Sequence, residues 1–423
     1  MSVFKCVDES NCPGGDPGTC GLHLVGQACW HCKENWHWTG SDCTECLSIE
    51  MTQLLFPTIP SLLAPLVIIG MYWKFQDPIA RWGSWRNGIA NILFVLLTHF
   101  QIVGILPTIN VVMPDMLRTQ TDLWVWTGDI TTIFKVDCAG YTDFGQQMAW
   151  KVSGPLFMGF VCLILFGGSR LLVNVIGSPE YAMNMDRLLN VFFSLIYTFF
   201  AAITALSFWL FKCVKHPNGT WTLSADYSID CFESDTWKGM VAAAVLACLV
   251  YVVGLGGLFV WAILAARTQF ESETFRMRWK FLFIKYRPEV YWWSVVFILK
   301  NILINLGFVI IAAGVWQLYW IMSIVFIYTG LVLAFMPHRN GASNYHEICS
   351  CVSIAYAAAM LTWFVDREDG EYDDEVGWSA MFISLLPGVT GLLAMAHLAY
   401  TRGPMSSFAL KLENDRIYVA KAA

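Results

Sequence analysis

Nine apolar runs, each close to twenty residues long, alternate with shorter polar segments along the chain. An α-helix needs about 20 apolar residues to cross a bilayer, since each residue adds about 1.5 Å. The pattern therefore predicts an all-α polytopic membrane protein of about nine transmembrane helices with a small disulfide-rich extracellular module at its N-terminus. The predicted helices cover residues 54–72, 89–109, 154–176, 188–211, 240–266, 291–313, 316–336, 345–365 and 378–400. The runs at 154–176 and 188–211 lie close together in sequence, so a re-entrant pair is the alternative to two full spans there.

Composition supports the membrane class. Of the 423 residues, 57% are hydrophobic and only 14% are charged, whereas soluble domains average about 25% charged residues. The chain shows no basic aromatic stripe that would bind nucleic acid, no Ser/His/Asp set, no HExxH helix and no pair of carboxylates within one predicted helix. We therefore expect a lipid bilayer as the main partner, and we predict no enzymatic activity, metal centre or cofactor.

Charged segments are sorted by side of the predicted membrane. Segments 74–86, 267–287 and 337–339 are rich in Lys and Arg, which favours the cytosol. The segments with paired cysteines and the acidic run at 366–375 fall on the other side. This sorting predicts an outer N-terminus and a cytosolic C-terminus in the plasma membrane or another membrane derived from the endomembrane system. It divides the chain into a module at 1–50, a helical bundle at 51–401 and a cytosolic tail at 402–423.

The N-terminal module is too small to build an apolar core, so crosslinks must hold it together. Its seven cysteines are Cys6, Cys12, Cys20, Cys29, Cys32, Cys43 and Cys46. The last four form two CxxC units with the spacing of a four-thiolate zinc site. Because the predicted topology places the module outside the cell, we favour disulfides; zinc is the main alternative, and a redox-active CxxC at Cys29 and Cys32 is a third.

Two later outer segments carry further candidates for modification. Cys213 and Cys231 lie in one predicted outer loop and can pair with each other, and Asn218 begins an Asn-Gly-Thr glycosylation pattern between them. Cys138 is the remaining cysteine in a predicted outer loop. Since seven cysteines cannot all pair within the module, we expect Cys138 to bridge to the module and clamp it on the bundle.

The stretch 276–311 combines a basic run, an aromatic cluster and an apolar run that predicts a helix from about 291 to 313. One residue, Lys300, interrupts the apolar pattern, about 13 residues and roughly 20 Å beyond Arg287. A lysine at that depth is costly unless it is paired or hydrated. It therefore marks either a functional charge or a lysine that is bonded to neighbouring amides or backbone carbonyls.

Polar residues of three predicted helices are candidate partners for Lys300. We expect Glu347 to approach it from the same side, roughly ten residues less deep, and the residues His99 and Gln101 to offer a polar alternative at equal depth. The full predicted intramembrane cluster is Lys300, Asn301, Asn305, Glu347, His99 and Gln101. The structural alternatives are an interfacial cap for Glu347 and a helix–helix hydrogen bond for His99.

Several motifs together resemble a known group of proteins. The module sequence CPGGDPGTCG followed by GQACWHCKENWHWTGSDCTEC is similar to the ephrin-receptor-like, EGF-like cysteine repeats of large protist surface proteins. The motifs FKVDC, KCVKHPNG, FLFIKYRPEVYWW and PHRNGASNYHE extend the resemblance to the TRP-like multi-helix region of those proteins. This resemblance implies a cation channel, although the chain carries no ankyrin array and no evident pore-loop filter.

Two functions are consistent with these features. The first is a TRP-like cation channel or transporter, in which the acidic run at 366–375 concentrates cations at the outer entrance. The structural alternative for that run is a solvated loop. Its spacing does not fit an EF-hand. The second is a surface receptor, adhesion or membrane-anchoring protein without conduction. A continuous polar path across the predicted helices at 89–109, 291–313 and 345–365 favours the first, and a dry bundle with a structured outer face favours the second. Either one is compatible with a homo-oligomer or a larger membrane complex.

Overall fold

The computed structural model is a bundle of long helices with short strands and disulfide-bonded loops at one end. We call this end the outer end and the opposite end the inner end. The structure describes residues 4, 6, 11–14, 16, 18–38, 43–46, 54–74, 82–109, 111, 117, 120–121, 123–129, 134, 136–365 and 373–402. Most of the acidic run, at 366–372, and the tail from 403 onwards lie outside the described residues.

The long helices confirm the predicted fold class. In chain order they are α1 Ile59–Lys74, α2 Trp85–Val103, α3 Phe144–Ile176, α4 Met185–Thr198, α5 Phe200–Trp209, α6 Asp235–Gln269, α7 Glu273–Phe283, α8 Trp293–Ile310, α9 Gly314–Phe335, α10 Gly341–Leu361 and α11 Asp373–Arg402. Within the described residues, eight helices are long and apolar enough to span a membrane, and the bent pair α4 and α5 makes a ninth if it counts as one span.

Burial separates central helices from peripheral ones. In the most apolar window of the helix at Trp85–Thr108, 61% of the residues are buried, against 11% for Phe144–Ile176. The central group is α2, α8 and α10, with α9 beside them, whereas α1 and α3 expose large apolar side chains such as Leu62 and Phe160. In a bilayer those side chains face lipid, so their exposure is expected for the lipid-facing surface of the bundle.

The predicted helix at 188–211 is broken rather than straight. Its two parts, α4 and α5, meet at Phe199 and are bent by 58°. Such a break leaves backbone carbonyls without intrahelical partners, and in a bilayer neighbouring side chains must take them. Gln101 of α2 donates to the carbonyl of Thr198 at 3.4 Å, and Asn305 of α8 donates to that of Ala201 at 3.3 Å.

The inner segment at 267–287, expected to be a loop, contains the helix α7. Its apolar side chains, including Phe275 and Trp279, are buried against the bundle. On the polar side, Arg278 pairs with Asp186 at the start of α4 at 2.6 Å. The basic residues of α7 concealed its amphipathic pattern in the sequence, because Arg276, Arg278 and Lys280 alternate with the apolar side chains; Arg278 is exposed, whereas Lys280 is buried.

Two inner connections are joined by backbone hydrogen bonds. The N–H of Arg287 donates to the carbonyl of Pro337 at 2.8 Å, and the N–H of Arg339 donates to that of Lys285 at 3.1 Å. We call these paired segments, 285–287 and 337–339, the inner clasp. The clasp stacks the rings of Tyr286 and His338 with their centroids 5.3 Å apart, and both residues are buried at the base of the bundle.

Helices α8 and α9 form a tight hairpin that depends on a glycine. Trp320 of α9 donates its indole N–H to the carbonyl of Leu303 at 2.8 Å. A Cβ atom at Gly307 would lie 2.2 Å from the indole carbon Cδ1 of Trp320, which is a severe overlap. The missing side chain at Gly307 therefore allows the indole to lie against the backbone of α8.

Among the described residues, the outer end carries three small antiparallel sheets. The strands are β1 Leu24–Val25, paired with β2 His31–Cys32; β3 Trp36–Trp38, paired with β4 Cys43–Glu45; and β5 Cys213–Lys215, β6 Trp221–Leu223 and β7 Asp226–Asp230, which form one sheet in that order. The first four belong to the module, and the last three form the loop between α5 and α6.

Disulfides crosslink this end of the molecule, as expected for a module whose described residues share a small apolar core. The bridges among the described residues are Cys6–Cys12, Cys20–Cys29, Cys32–Cys43, Cys46–Cys138 and Cys213–Cys231. The bond from Cys46 to Cys138 ties the module to the segment before α3. Because Cys29, Cys32, Cys43 and Cys46 enter three different bridges, they do not form the four-thiolate site that was the alternative.

The module also contacts the β5–β7 sheet through side chains. The indole of Trp30 stacks on the ring of Tyr227 with centroids 4.6 Å apart, and His31 lies 3.2 Å from the carboxylate of Asp226. Burial raises the pKa of Asp226, but the bonds from His31 and Ser228 outweigh burial and hold that pKa below its usual value. The module is therefore held by aromatic and polar contacts in addition to the Cys46–Cys138 bond.

Candidate functional site in the helix core

Glu347 is the acidic centre of a buried polar network. It lies six residues after the start of α10 and is 6% exposed. Tyr328 of α9 donates its hydroxyl hydrogen to Oε1 at 2.6 Å, and His338 of the inner clasp bonds to Oε2. The indole N–H of Trp293 donates to the Tyr328 hydroxyl at 3.3 Å. Three residues from separate elements thus fix one carboxylate in place: Tyr328 and His338 bond to it directly, and Trp293 bonds to Tyr328.

The position of His338 is set by two asparagines. Its backbone N–H donates to Oδ1 of Asn344 at 2.9 Å, and the Asn344 amide donates back to the His338 carbonyl at 3.1 Å. Asn91 of α2 places its Nδ2 atom 2.9 Å from Nδ1 of the imidazole. In this orientation the amide donates to Nδ1, so the imidazole proton is on Nε2 and points to Glu347.

Lys300 lies at the same depth as Glu347 and not ten residues deeper. Helix α8 begins only at Trp293, so Lys300 lies seven residues, about 10 Å, along it. The predicted depth was too large because residues 288–290 form a separate turn before the helix. The ammonium nitrogen lies 4.3 Å from the ring centroid of Tyr328 and 5.1 Å from that of Phe297, where the ring faces stabilise a cation.

A small cavity lies between Lys300 and Glu347. Its volume is about 10 Å³, which is about the space that one water molecule requires. Its polar lining comes from Lys300, Glu347, His99, Ser350 and Thr98, and apolar residues such as Phe94 and Phe297 close it. The two charged groups influence each other electrostatically across this space instead of forming a close ion pair.

His99 brings α2 and α11 into the network. Its Nε2 atom lies 2.9 Å from the carbonyl of Ser384, to which it donates. Its Nδ1 atom accepts from the Ser350 hydroxyl at 3.0 Å. The Ser384 hydroxyl in turn donates to Oε1 of Gln120 at 2.9 Å, so polar contacts continue from the cavity toward the outer end.

The other three predicted cluster members lie elsewhere. Gln101 and Asn305 bind carbonyls at the α4–α5 break, and neither lines the cavity. Asn301 is 1% exposed, and neither amide atom of its side chain has a hydrogen-bond partner among the described residues. The predicted cluster is therefore two groups: Lys300, Glu347 and His99 around the cavity, and three amide side chains on the neighbouring faces of α2 and α8.

Sequence reasoning missed the inner clasp and the aromatic residues of the network. Tyr286 accepts or donates a bond of 3.2 Å with the hydroxyl of Tyr197 on α4. The Nζ atom of Lys285 lies 3.0 Å from the ring centroid of Phe94 and 4.9 Å from that of Tyr197. Burial lowers the pKa of Lys285 well below its usual value, and Glu347 opposes this only in part.

The signal that could have revealed these residues is weak. Burial of Tyr286 by the clasp raises the pKa of its hydroxyl well above the usual value, so this residue is clearly interior in the structure. In sequence, however, Lys285 belongs to a basic run and His338 to the basic segment after α9. Both features are typical of a solvated cytosolic loop, so only the backbone pairing of the clasp identifies them as interior residues.

Asn218, the predicted glycosylation site, is exposed at the turn between β5 and β6. Its side-chain oxygen accepts from the N–H of Thr220 at 3.0 Å and from the Thr220 hydroxyl at 2.8 Å. The tip of this hairpin is at the disulfide-bonded end of the molecule.

Comparison of the chain with family models, curated proteins and solved structures found no match. The functional argument therefore rests on the geometry of the core and of the outer end.

Proposed function

We propose that this membrane protein moves a cation across the bilayer, as a channel or a transporter, through the core around Lys300 and Glu347. The observation that carries the proposal is the network itself. Side chains of α2, α8 and α10 line one cavity inside the bundle, and side chains of α9 and the inner clasp bind the Glu347 carboxylate on its wall. The TRP-like resemblance is an expectation in the same direction.

A purely structural core would not require these charges. Lysine or glutamate within a membrane span costs a few kcal/mol or more, and such residues are typical of ion pathways. A buried charged network is also commonly replaceable by apolar side chains of similar volume without loss of stability. The presence of Lys300, Glu347 and His338 together therefore supports a function that uses their charges.

The cavity size indicates the state of this core. A space of about 10 Å³ does not extend through the bundle, and aromatic side chains close it. Under the proposed function the structure corresponds to a closed form. Movement of the inner clasp, which supplies His338 and packs Tyr286 beside it, would connect the cavity to the inner end.

Reconstitution tests the proposal. Purified protein in liposomes is expected to pass a cation, measured with ion-sensitive dyes, faster than empty liposomes do. Lys300→Met is expected to change that rate because it removes the charge on the cavity wall. The matched control is Lys238→Met, since Lys238 lies exposed at the start of α6 and pairs with exposed Asp235. Folded wild-type protein that passes no cation would contradict the proposal.

The alternative is a surface receptor, adhesion or anchoring protein, and the outer end favours it. The Cys46–Cys138 bridge and the Trp30–Tyr227 stack fix the module in one position, which suits a binding surface. In this case no variant passes ions. A glycan on Asn218 would belong to the same outer surface, and a shift in electrophoretic mobility after enzymatic deglycosylation, absent from Asn218→Gln, would detect it.

A further inference from the structure

We propose that the cation handled by this core is the proton, and that the pair of His338 and Glu347 is its loading site. This inference rests on the proposed transport function and names its substrate. It follows from three observations: the size of the cavity, the nature of the groups around it and the unused hydrogen-bonding atom of Asn91.

In this closed form the cavity is too small for a hydrated metal ion. Its volume matches about one water molecule, and the ammonium group of Lys300 is on its wall. A metal cation would need several oxygen ligands, but both oxygens of Glu347 already accept hydrogen bonds from Tyr328 and His338. A proton needs neither space nor an open set of ligands, because it moves along existing hydrogen bonds.

The groups that face Glu347 are almost all able to exchange a proton. Those in hydrogen-bond contact are His338 and Tyr328. Six further titratable residues interact electrostatically with Glu347. They lie on α4, α8, α10 and the inner clasp: Tyr197, Lys300, His346, Cys351, Lys285 and Tyr286. The carboxylate thus has one imidazole partner, and nearby lysines balance its charge.

Asn91 can hydrogen-bond the imidazole in either of two protonation states. In the structure its Nδ2 donates to Nδ1 of His338, while its buried Oδ1 has no hydrogen-bond partner among the described residues. An unpaired buried acceptor is costly. If His338 gains a proton on Nδ1, the Asn91 amide can turn over so that Oδ1 accepts that proton's hydrogen bond. The second state therefore uses the atom that the first leaves unused.

The proposed cycle moves one proton without any other reactant. A proton from the inner side binds Nδ1 of His338 and forms the imidazolium. The proton on Nε2 then moves to Oε2 of Glu347, which leaves a neutral imidazole and a carboxylic acid. The acid releases its proton to a water in the cavity. The imidazole is then reset from the inner side when the inner clasp opens: water there accepts the Nδ1 proton and donates one to Nε2, so the proton count of that side does not change in this step. The Asn91 amide turns back, and the net result is one proton moved from the inner side to the cavity.

His99 is the acceptor on the far side of the cavity. Its Nδ1 atom carries no proton in the structure, since it accepts from Ser350 at 3.0 Å. A proton from the cavity can therefore reach Nδ1 through the Ser350 hydroxyl, which gives up its own proton and receives another. The Nε2–H of His99 is held by the Ser384 carbonyl, which cannot pass a proton onward. Release toward the outer end thus requires this contact with α11 to open.

The test is proton flux in liposomes. Wild-type protein is reconstituted with a pH-sensitive dye inside, a potassium gradient with valinomycin sets the potential, and Na⁺ is replaced by N-methylglucamine. We expect acidification above that of empty liposomes, and its loss in Glu347→Gln and His99→Gln. The matched controls are Glu289→Gln and His397→Gln, because both side chains are exposed near the inner end; their flux should equal the wild-type flux.

The outcomes separate the inference from the function on which it rests. If wild-type protein passes Na⁺ or K⁺ but no protons, the proton proposal is wrong and the transport function stands. If folded wild-type protein passes none of these ions, both are wrong. If proton flux persists in both core variants, the path lies elsewhere and the loading site is wrong. Circular dichroism and a single elution peak in detergent show that each variant is folded, and Glu347→Asp offers a second variant that keeps the carboxylate.

Discussion

The hydroxyl of Tyr328 donates to Oε1 of Glu347 at 2.6 Å and accepts from the indole N–H of Trp293 at 3.3 Å. One side chain of α9 therefore connects the carboxylate of α10 to the first residue of α8. All three residues are buried. Because a buried group that loses its partner keeps its full desolvation cost, this hydroxyl is expected to stabilise the packing of three helices.

We predict that Tyr328→Phe destabilises the protein by about 1–3 kcal/mol, since the substitution leaves the Trp293 N–H and one oxygen of Glu347 with a lost partner each. Thermal unfolding in detergent, followed by circular dichroism, measures the change. Tyr400→Phe is the control, because Tyr400 is 71% exposed on α11 and its loss should leave the midpoint unchanged. Equal midpoints for wild type and Tyr328→Phe would show that the hydroxyl adds no stability.

Hydropathy predicted the spans well because the hydrocarbon thickness fixes their length whatever their packing. It also identified Lys300, since a charge inside an apolar run is visible in sequence. The other residues of the network around Glu347 were harder to predict. Asn91 and His338 are 247 positions apart, and His338 and Lys285 lie in segments whose composition is that of a cytosolic loop. Their burial depends on the backbone pairing of the clasp, which leaves no periodic pattern.

The break between α4 and α5 illustrates the same limit. The apolar run at 188–211 contains no proline or glycine to mark a kink, so a straight helix is the expected reading. The structure shows instead that amides of α2 and α8 bind the carbonyls at the break. Gln101 and Asn305 were recognised as polar residues in apolar helices, but their role followed only from where α4 bends.

Gly307→Ala should disturb the α8–α9 hairpin. The new methyl group would overlap the indole of Trp320, which must then shift and weaken its bond to the Leu303 carbonyl. Overpacking of this kind costs about 1–3 kcal/mol. Gly330→Ala in α9 is the matched control, since a Cβ atom there meets nothing within 4 Å. A thermal midpoint lowered in the first variant and not in the second supports the packing argument; equal midpoints would contradict it.

Cys138→Ser should loosen the attachment of the module to the bundle without unfolding either part, because the Trp30–Tyr227 and His31–Asp226 contacts remain. The three bridges within the module do not involve Cys138, and removal of one native disulfide costs about 2–5 kcal/mol in small domains. Limited proteolysis is expected to remove the module faster than in wild type, while helix content measured by circular dichroism stays the same. Cys349→Ser is the control, because Cys349 forms no disulfide. Mass spectrometry without reduction that finds no Cys46–Cys138 peptide in wild type would refute the clamp.

Lys285→Met should change how stability depends on pH. Burial holds the pKa of Lys285 well below 10.5 in the folded protein, so between that lowered pKa and 10.5 the unfolded chain binds more protons than the folded one. The contribution of Lys285 to the free energy of unfolding therefore rises with pH across this interval, with a slope of up to about 1.4 kcal/mol per pH unit. In Lys285→Met this slope disappears, and the variant gains stability relative to wild type as the pH falls.

The measurement is the thermal midpoint of each protein at pH values from neutral to 10, in the same detergent and salt. Lys33→Met is the matched control, because Lys33 is exposed in the module and its removal should leave the wild-type slope intact. Parallel curves for wild type and Lys285→Met would mean that the ammonium keeps its hydration despite the Phe94 and Tyr197 rings around it. The inner clasp would then be open to water in solution, and its proposed place in the closed core would be lost.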